Sequence, residues 1–539
     1  HPVPRSGLGR YNRVRLRSEH HLPPRLRLPA LPSGLVMLAS RRGPGDRGVV
    51  LPSTAVGEGD WAQWGAGTLL AGLLGLTAFL AWRSLGWPLI HDAPIMHYAA
   101  WLSGQGVVPY RDFFDMNFPG AHLLHRQVLA LFGPGDWGFR SFDLLWLTAT
   151  AALIGGYCLP FGVWSATVAP LLFAAYHLAG GAWLAGQRDF LLAPFLLAGL
   201  WGGARAWSSG ERLALVAGGL AFGAALLLKP HAILFLPLLA WAGARRGRLA
   251  LGLTAWAIPP LAAGLWLGWT GGLLPFLEIL SRYLLPLYSG LERVSPLEAL
   301  RWHSYGVPFW SLAGFLVVLC LAVARVRRRF DLRRGLLAAG LLYGGIHFVA
   351  QGKGWEYHLY PLALFTLLMA TTELDAVISD GGWFSRALMG GALALLITVL
   401  GLRGVEASDA PWIAAKERRV TAVVADLRGR IPPGETVQVL DTTEGGIHAL
   451  LRLRIRQPTS FLYDFHFFHD AETAYIRGLR SEFVQDLQAR PPRFVVLFER
   501  GWPRGGYERL NEFPELLKWL ERHYALDRQG DGYRIHARR

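Results

Sequence analysis

The sequence predicts a polytopic α-helical membrane protein of about 11 transmembrane helices, with a small C-terminal α/β domain outside the membrane. Three observations predict it. Of the 539 residues, 52% are hydrophobic, Trp occurs 22 times and mean hydropathy is +0.28, a composition foreign to a soluble globule of this length. Apolar stretches recur at the length of about 20 residues that a helix needs to cross hydrocarbon. Beyond residue 404 hydropathy falls, and short strand-like and helix-like segments alternate.

Residues 1–60 are rich in Arg, Pro and Gly without an apolar period, and read as a disordered basic tail on the cytoplasmic side. Arg41-Arg42 is not followed at once by an apolar core, which argues against an export signal. The transmembrane domain covers 61–403, with spans expected at 61–82, 141–159, 161–180, 188–204, 213–229, 230–244, 249–272, 305–324, 335–351, 357–373 and 383–402. A formal charge of +16 does not indicate nucleic acid here, because the cations fall in short runs between spans. These runs are Arg245-Arg246-Gly247-Arg248, Arg325 to Arg329 and Arg333-Arg334. Basic short loops mark the cytoplasmic face. With the tail inside, eleven spans place all three runs and the Arg205/Arg212 connection on that face, and the C-terminus outside. Cys158 and Cys320 lie in apolar spans without metal-ligand spacing.

The same sidedness gathers polar residues on the outer face. They come from the first outer loop 83–140, Gln187-Arg188-Asp189, Lys229-Pro230-His231, the loop 273–304, and the run from Gln351 to His358. A charge within a span costs about 2.5–3.5 kcal/mol on insertion scales and usually lines a cavity. Convergence on one face argues for a reaction site at the membrane surface. The alternative, a polytopic transporter or lipid flippase, predicts internal repeats and polar residues at mid-bilayer; no repeat is visible. A third reading is a scaffold that binds a partner through the aromatic run Phe461 to Phe468, which could equally dock the C-terminal domain onto the membrane part.

In 404–539 helices are expected at 412–429, 444–453, 471–489 and 507–523, and strands at 436–440, 493–498 and near 532–536. The domain carries no Gly-rich phosphate loop, so nucleotide binding is not expected.

Asp92 follows the first span, between His91 and the helix-starting Pro94. It either caps the helix that carries Tyr98 and Trp101 or serves as a general base on a hydroxyl. Asp112 and Asp115, if helical, share a face that could hold a cation or sugar hydroxyls. Otherwise they set up, with Asn117, the turn before Pro119, first residue of a helix over 119–132; that architectural role is expected for Asp115. His122 and His125 share a helix face without a carboxylate at metal spacing, so a solvated or interfacial face is expected rather than a zinc site. Arg188-Asp189 and Lys229-Pro230-His231 read first as residues snorkelling to headgroups. Lys353 lies between two glycines and beside Trp355, Tyr357 and Tyr360, a setting suited to a lipid phosphate.

The ordered set Asp92, Tyr98, Ala100, Gly106, Pro109-Tyr110, Asp112, Pro119-Gly120, Leu131-Phe132-Gly133 and Arg140 resembles the first outer loop of GT-C glycosyltransferases. It looks like that of bacterial members of the protein mannosyltransferase and lipid A aminoarabinose transferase group. Gly352-Lys353-Gly354-Trp355-Glu356-Tyr357-His358-Leu359-Tyr360-Pro361 resembles that group's late Gly-Lys…Tyr-x-Leu-Pro segment, so the resemblance covers about 61–539. It implies a GT-C-like fold and transfer of a sugar from a polyprenyl-phosphate-linked donor to a lipid, glycan or protein acceptor. The setting implied is the outer face of the bacterial inner membrane, among membrane lipids and without nucleic acid. The family's catalytic acid carries over to Asp92, and its donor-phosphate cations to Lys353 and Arg188. Tyr110, Arg111, Asp112, Asp189, Glu356 and His358 are candidates for sugar or acceptor binding. No metal ligand is assigned; Ala93, where many relatives carry Glu, leaves a divalent metal requirement open, and His358 stands where an aromatic or apolar residue is common. A prenyl phosphate leaves as a stabilised anion, so one base with cationic stabilisation suffices, unlike the paired carboxyls of glycoside hydrolysis. An inverting displacement is expected.

Overall fold

The computed structural model describes residues 58–245, 247–301, 312–317, 319 and 331–539, and residues 62–539 form one compact unit. The described residues begin with the helices α1 (Glu58–Ser84), α2 (Ala93–Gly104), α3 (Pro119–Phe132), α4 (Asp136–Cys158), α5 (Val163–Ala179), α6 (Arg188–Ser209), α7 (Arg212–Leu228), α8 (Leu236–Ala244) and α9 (Leu249–Thr270). Later come Leu332–Gln351, Tyr360–Thr371 and Trp383–Ser408. Among the described residues, six segments are long and apolar enough to cross a membrane: Gly65–Ser84, Asp136–Phe161, Arg188–Ser209, Leu249–Thr270, Glu356–Asp380 and Trp383–Leu427. Shorter apolar helices are Val163–Ala179, Arg212–Leu228 and Pro230–Ala244. Ten of the eleven expected spans thus fall on helices. The span at 305–324, apart from a few of its residues, the run Arg325 to Arg329 and the tail 1–57 lie outside the described residues.

Outward faces carry Leu145, Leu265, Trp269 and Leu395, exposed apolar side chains that hydrocarbon accepts and water would not. Between spans the packing relies on small residues. On α6 a Cβ at Gly202 would stand 2.7 Å from the Cα of Gly218 on α7, so only glycine permits that approach.

The basic connections meet at one end of this bundle. Helix α6 ends at Ser209, where Arg205 pairs with Glu211, Arg248 donates to the Gly210 carbonyl, and Arg245 stacks over Trp207 at 3.9 Å. The other end of α6 begins at Arg188, beside the long first loop.

The C-terminal sheet has strand order β1-β2-β4-β3. Strand β1 (Val437–Leu440) runs parallel to β2 (Phe494–Phe498), while β4 (Tyr533–Arg538) pairs antiparallel with both β2 and the edge strand β3 (Tyr524–Gly530). Strand β3 was not expected from sequence: five of its seven residues are exposed, and Asp527, Arg528 and Gln529 give no apolar alternation. The helix expected over 507–523 is broken into a short turn, Tyr507–Glu512, and a helix, Pro514–His523. Pro514 disfavours helical backbone at Phe513, which is non-helical (φ −129°, ψ 68°). The composition shift at 404 falls inside the helix Trp383–Ser408, with Pro411–Leu427 following after two residues.

The aromatic run docks this region onto the first loop. Phe114 N–H donates to the Ser460 carbonyl at 2.7 Å, and the Phe114 ring packs on Phe461 and His466. Tyr463 donates to Asp115 at 2.8 Å, Tyr98 to the Ile455 carbonyl at 2.9 Å, and Tyr283 bonds His469 at 2.9 Å.

Candidate active site

Asp92 stands at the N-terminal boundary of α2, but its carboxylate does not cap that helix. Its backbone is already helical (φ −76°, ψ −27°), which turns the side chain away from the free N–H groups. The carboxylate faces the turn before α6 instead. Gln187 Nε2 donates to Asp92 Oδ2 at 3.3 Å, and Arg188 Nη2 lies 3.9 Å from the same oxygen. The Asp92 side chain is 26% exposed and that of Arg188 17%, so the pair lines an opening rather than the core. Tyr288 and Tyr357 lie close enough to both to feel their charges.

His91, one residue earlier, has a left-handed backbone (φ +61°), and its ring stacks on Trp183 with centroids 3.6 Å apart. Burial pushes its pKa down to about 3, so the imidazole is neutral at ordinary pH. Its Nε2 is 3.8 Å from Asp92 Oδ1, and its Nδ1 is 3.3 Å from Nζ of Lys416, on the helix Pro411–Leu427.

A buried network fixes the turn that carries Gln187 and Arg188. Gly186 N–H donates to Asp143 Oδ1 at 2.8 Å. The other oxygen of Asp143 receives Arg140 and, at 2.9 Å, His177 Nε2. His177 Nδ1 in turn bonds Tyr360 Oη at 2.6 Å, and Arg140 donates to Ser84 Oγ at 2.6 Å. Gly186 itself has φ +65°, and a Cβ there would stand 2.4 Å from the Phe139 ring. The end of α1, helices α4 and α5 and the start of Tyr360–Thr371 therefore all hold one turn. Sequence reasoning missed Asp143 and His177; the available signal was an acid inside an otherwise apolar span.

Asp189 sits deeper. Its side chain is fully buried, with Lys229 Nζ 3.0 Å from Oδ2 and His347 Nε2 2.6 Å from Oδ1. His231 and His358 ring the same spot, with centroids 5.2 and 6.3 Å from that of His347. This overturns the snorkelling reading of Lys229 and Asp189: both are buried, and each neutralises the other inside the bundle. Glu356 is buried too, beside Tyr176 and Tyr360.

Lys353 is held against the segment 288–291. Its Nζ donates to the carbonyls of Tyr288, at 2.9 Å, and Leu291, and lies 4.7 Å from the Tyr288 ring centroid. Gly352 and Gly354 both have φ +64°, backbone that glycine adopts without strain. Burial lowers the Lys353 ammonium to about 8. Through Tyr288 it adjoins Arg188 and Asp92.

The remaining candidates stand apart from this cluster. Arg111 grips Asp112 with two hydrogen bonds of 2.8 Å and donates to the Thr270 carbonyl at 2.8 Å. Asp112 also accepts from Val108 N–H at 2.7 Å, closing its own turn. Tyr110 is buried, with its hydroxyl on the Asn117 carbonyl at 2.5 Å. The segment is not helical, so Asp112 and Asp115 share no helix face. Asp115 is wholly buried, accepting from Asn117 N–H at 3.1 Å and Tyr463 at 2.8 Å, with His122 Nε2 3.0 Å from its other oxygen. His122 and His125 are buried rather than solvated: α3 packs between α2 and α4, which places His125 Nδ1 3.0 Å from His97 Nδ1. Among the described residues no three His, Cys, Asp or Glu side chains are grouped to hold a metal ion.

Comparison with known proteins agrees with this architecture. The family model described as dolichyl-phosphate-mannose-protein mannosyltransferase matches residues 118–259, a stretch containing Arg188 and Asp189 but neither Asp92 nor Lys353. Among solved structures, that of ArnT from Cupriavidus metallidurans bound to undecaprenyl phosphate is similar, with a TM-score of 0.55 at 13% identity. The likeness covers 89% of this chain and 98% of that one. No curated protein matches the sequence. The chain is a polytopic helical membrane protein with a fold like that of ArnT, and its residues 118–259 match the family described as dolichyl-phosphate-mannose-protein mannosyltransferase.

Proposed function

We propose that this chain transfers a sugar from a polyprenyl-phosphate-linked donor to an acceptor hydroxyl at the membrane surface. The observation that carries the reading is the partly open Asp92–Arg188 pair, 3.9 Å apart where the first loop meets the start of α6. The similar ArnT structure holds undecaprenyl phosphate, and the matching family is described by a dolichyl-phosphate sugar. Both are polyprenyl phosphates.

Asp92 takes the proton from the acceptor hydroxyl as its oxygen attacks the anomeric carbon. The bond from that carbon to the phosphate oxygen breaks, and its electron pair leaves with the prenyl phosphate. Arg188, one side of which already faces Asp92, and Lys353 stabilise the charge that develops there. A single displacement inverts the anomeric centre. Because a phosphate is a competent leaving group, the second, protonated carboxyl used in glycoside hydrolysis is not required.

The clustering of Arg205, Arg245 and Arg248 at the end of the bundle away from Asp92 supports an orientation with that end cytoplasmic. The site and the C-terminal domain then face the periplasm of a bacterial inner membrane. Incubating the purified chain in lipid nanodiscs with a panel of prenyl-phosphate sugars, each combined with lipid, glycan and peptide hydroxyl acceptors, tests the proposal. One donor is consumed, releasing prenyl phosphate and a product of inverted configuration. If every donor stayed intact, as with a transporter or scaffold, the proposal would fail.

A further inference from the structure

We propose that His91, held in its Nε2–H tautomer by Lys416, is a positioning residue that orients the Asp92 carboxylate for proton abstraction. This rests on Asp92 acting as the base. Lys416 Nζ has three neighbours: the Thr443 carbonyl at 2.9 Å, Glu444 Oε1 at 3.4 Å and His91 Nδ1 at 3.3 Å. An ammonium can only donate, so Nδ1 of His91 must present its lone pair. The ring proton therefore resides on Nε2. That nitrogen is the one facing Asp92, 3.8 Å from Oδ1. The distance is too long for a hydrogen bond, and contacts of this kind commonly shorten once substrate closes the site.

Other features point the same way. The neutral state of His91 follows from its burial, so the imidazole offers one N–H and no competing charge. Its left-handed backbone and the Trp183 stack fix the ring plane. Beyond Lys416, Arg419 Nη1 holds Glu444 Oε2 at 2.6 Å. The relay Arg419–Glu444–Lys416–His91 thus runs from the C-terminal region to one carboxylate oxygen, while Gln187 and Arg188 attend the other. The C-terminal domain so becomes part of the catalytic apparatus, although none of its residues need touch substrate.

Three variants of the full chain test this: His91→Phe, which keeps the stack but loses the N–H; His91→Gln, which restores a donor near Nε2; and Lys416→Met, which keeps the stem but loses the ammonium. With the prenyl-phosphate sugar that the wild type consumes, His91→Phe and Lys416→Met should each lower kcat by about 10²-fold, the cost of a misplaced catalytic group. KM for the donor should stay within about twofold, since the donor phosphate lies elsewhere, and His91→Gln should recover most of the rate. A His91→Phe enzyme with unchanged kcat, alongside an inactive Asp92→Asn, overturns the inference and spares the base assignment. An active Asp92→Asn overturns the base assignment itself. Independently of turnover, ¹⁵N NMR of the imidazoles should report the Nε2–H tautomer at His91 in the wild type and its loss in Lys416→Met. A wild type protonated at Nδ1 contradicts the proposal.

Discussion

Asp92 and Asp189 each face a basic side chain, and burial separates what the two pairs do. Asp189 lies at 0% exposure between Lys229 and His347, so Asp189→Ala leaves a lysine uncompensated inside the bundle. Such a loss costs about 3–5 kcal/mol and should appear as a much lower Tm. The Asp92 pair is partly open, so Asp92→Asn should leave Tm nearly unchanged. Lys353 adds a pH dependence. Its folded pKa, about 8, lies below the ordinary 10.5 of lysine, so the ammonium is charged below pH 8 and loses its charge above it. The donor kcat/KM should then fall about tenfold per pH unit above pH 8, and Lys353→Arg should flatten that limb. Between pH 8 and 10.5 the unfolded chain binds the extra proton, so the same group makes stability rise with pH across that window. At this scale residue type and place singled out Asp92, Arg188 and Lys353 as candidates, and the structure brings Asp92 to Arg188 and sets Lys353 against Tyr288 beside them. The sequence could not separate Arg188 from Asp189, because neighbours on a helix point to different surroundings, one to the opening and one to the interior. Lys416 was invisible for a different reason: 324 positions separate it from Asp92 in the chain.

Among the elements, the turn at Gly186 governs the site's geometry. Its left-handed backbone and the Phe139 ring exclude a side chain, so Gly186→Ala must shift the turn that carries Gln187 and Arg188. A penalty of about 1–3 kcal/mol is expected for the backbone alone. Activity should fall further than Tm accounts for, as paired melting and turnover measurements would reveal. Helices were legible because each span repeats apolar residues over a length fixed by the bilayer. The helix 119–132 was legible from Pro119 alone, since proline suits a first helical position. Strand β3 was not, since an exposed edge strand of polar residues owes its pairing to β4 rather than to its own pattern. The aromatic run 461–468 was recognisable as a contact surface, but only the bonds from Phe114, Asp115 and Tyr283 identify what it contacts.

On the scale of the whole molecule, one face of the bundle gathers the first loop, the Gln187 turn, the segment 288–291 and the Gly352–Gly354 turn, and the C-terminal sheet region packs against that face. The basic connections lie at the other end. The proposed sidedness rests on those arginines, because positive charge is retained in the cytoplasm during insertion. An Arg477→Cys variant, exposed on the helix Ala474–Ala489, should accordingly react with a membrane-impermeant maleimide added to spheroplasts. A cysteine placed at exposed Arg205 should react only after the membrane is opened.

The most direct measurement compares wild type and Asp92→Asn, in nanodiscs at matched Tm, for release of prenyl phosphate from the donor that the wild type consumes. With Asp92 as the base, the variant should bind donor normally and transfer sugar at least about 10²-fold more slowly, the loss expected on removing a catalytic base. Transfer by Asp92→Asn at the wild-type rate would contradict that assignment.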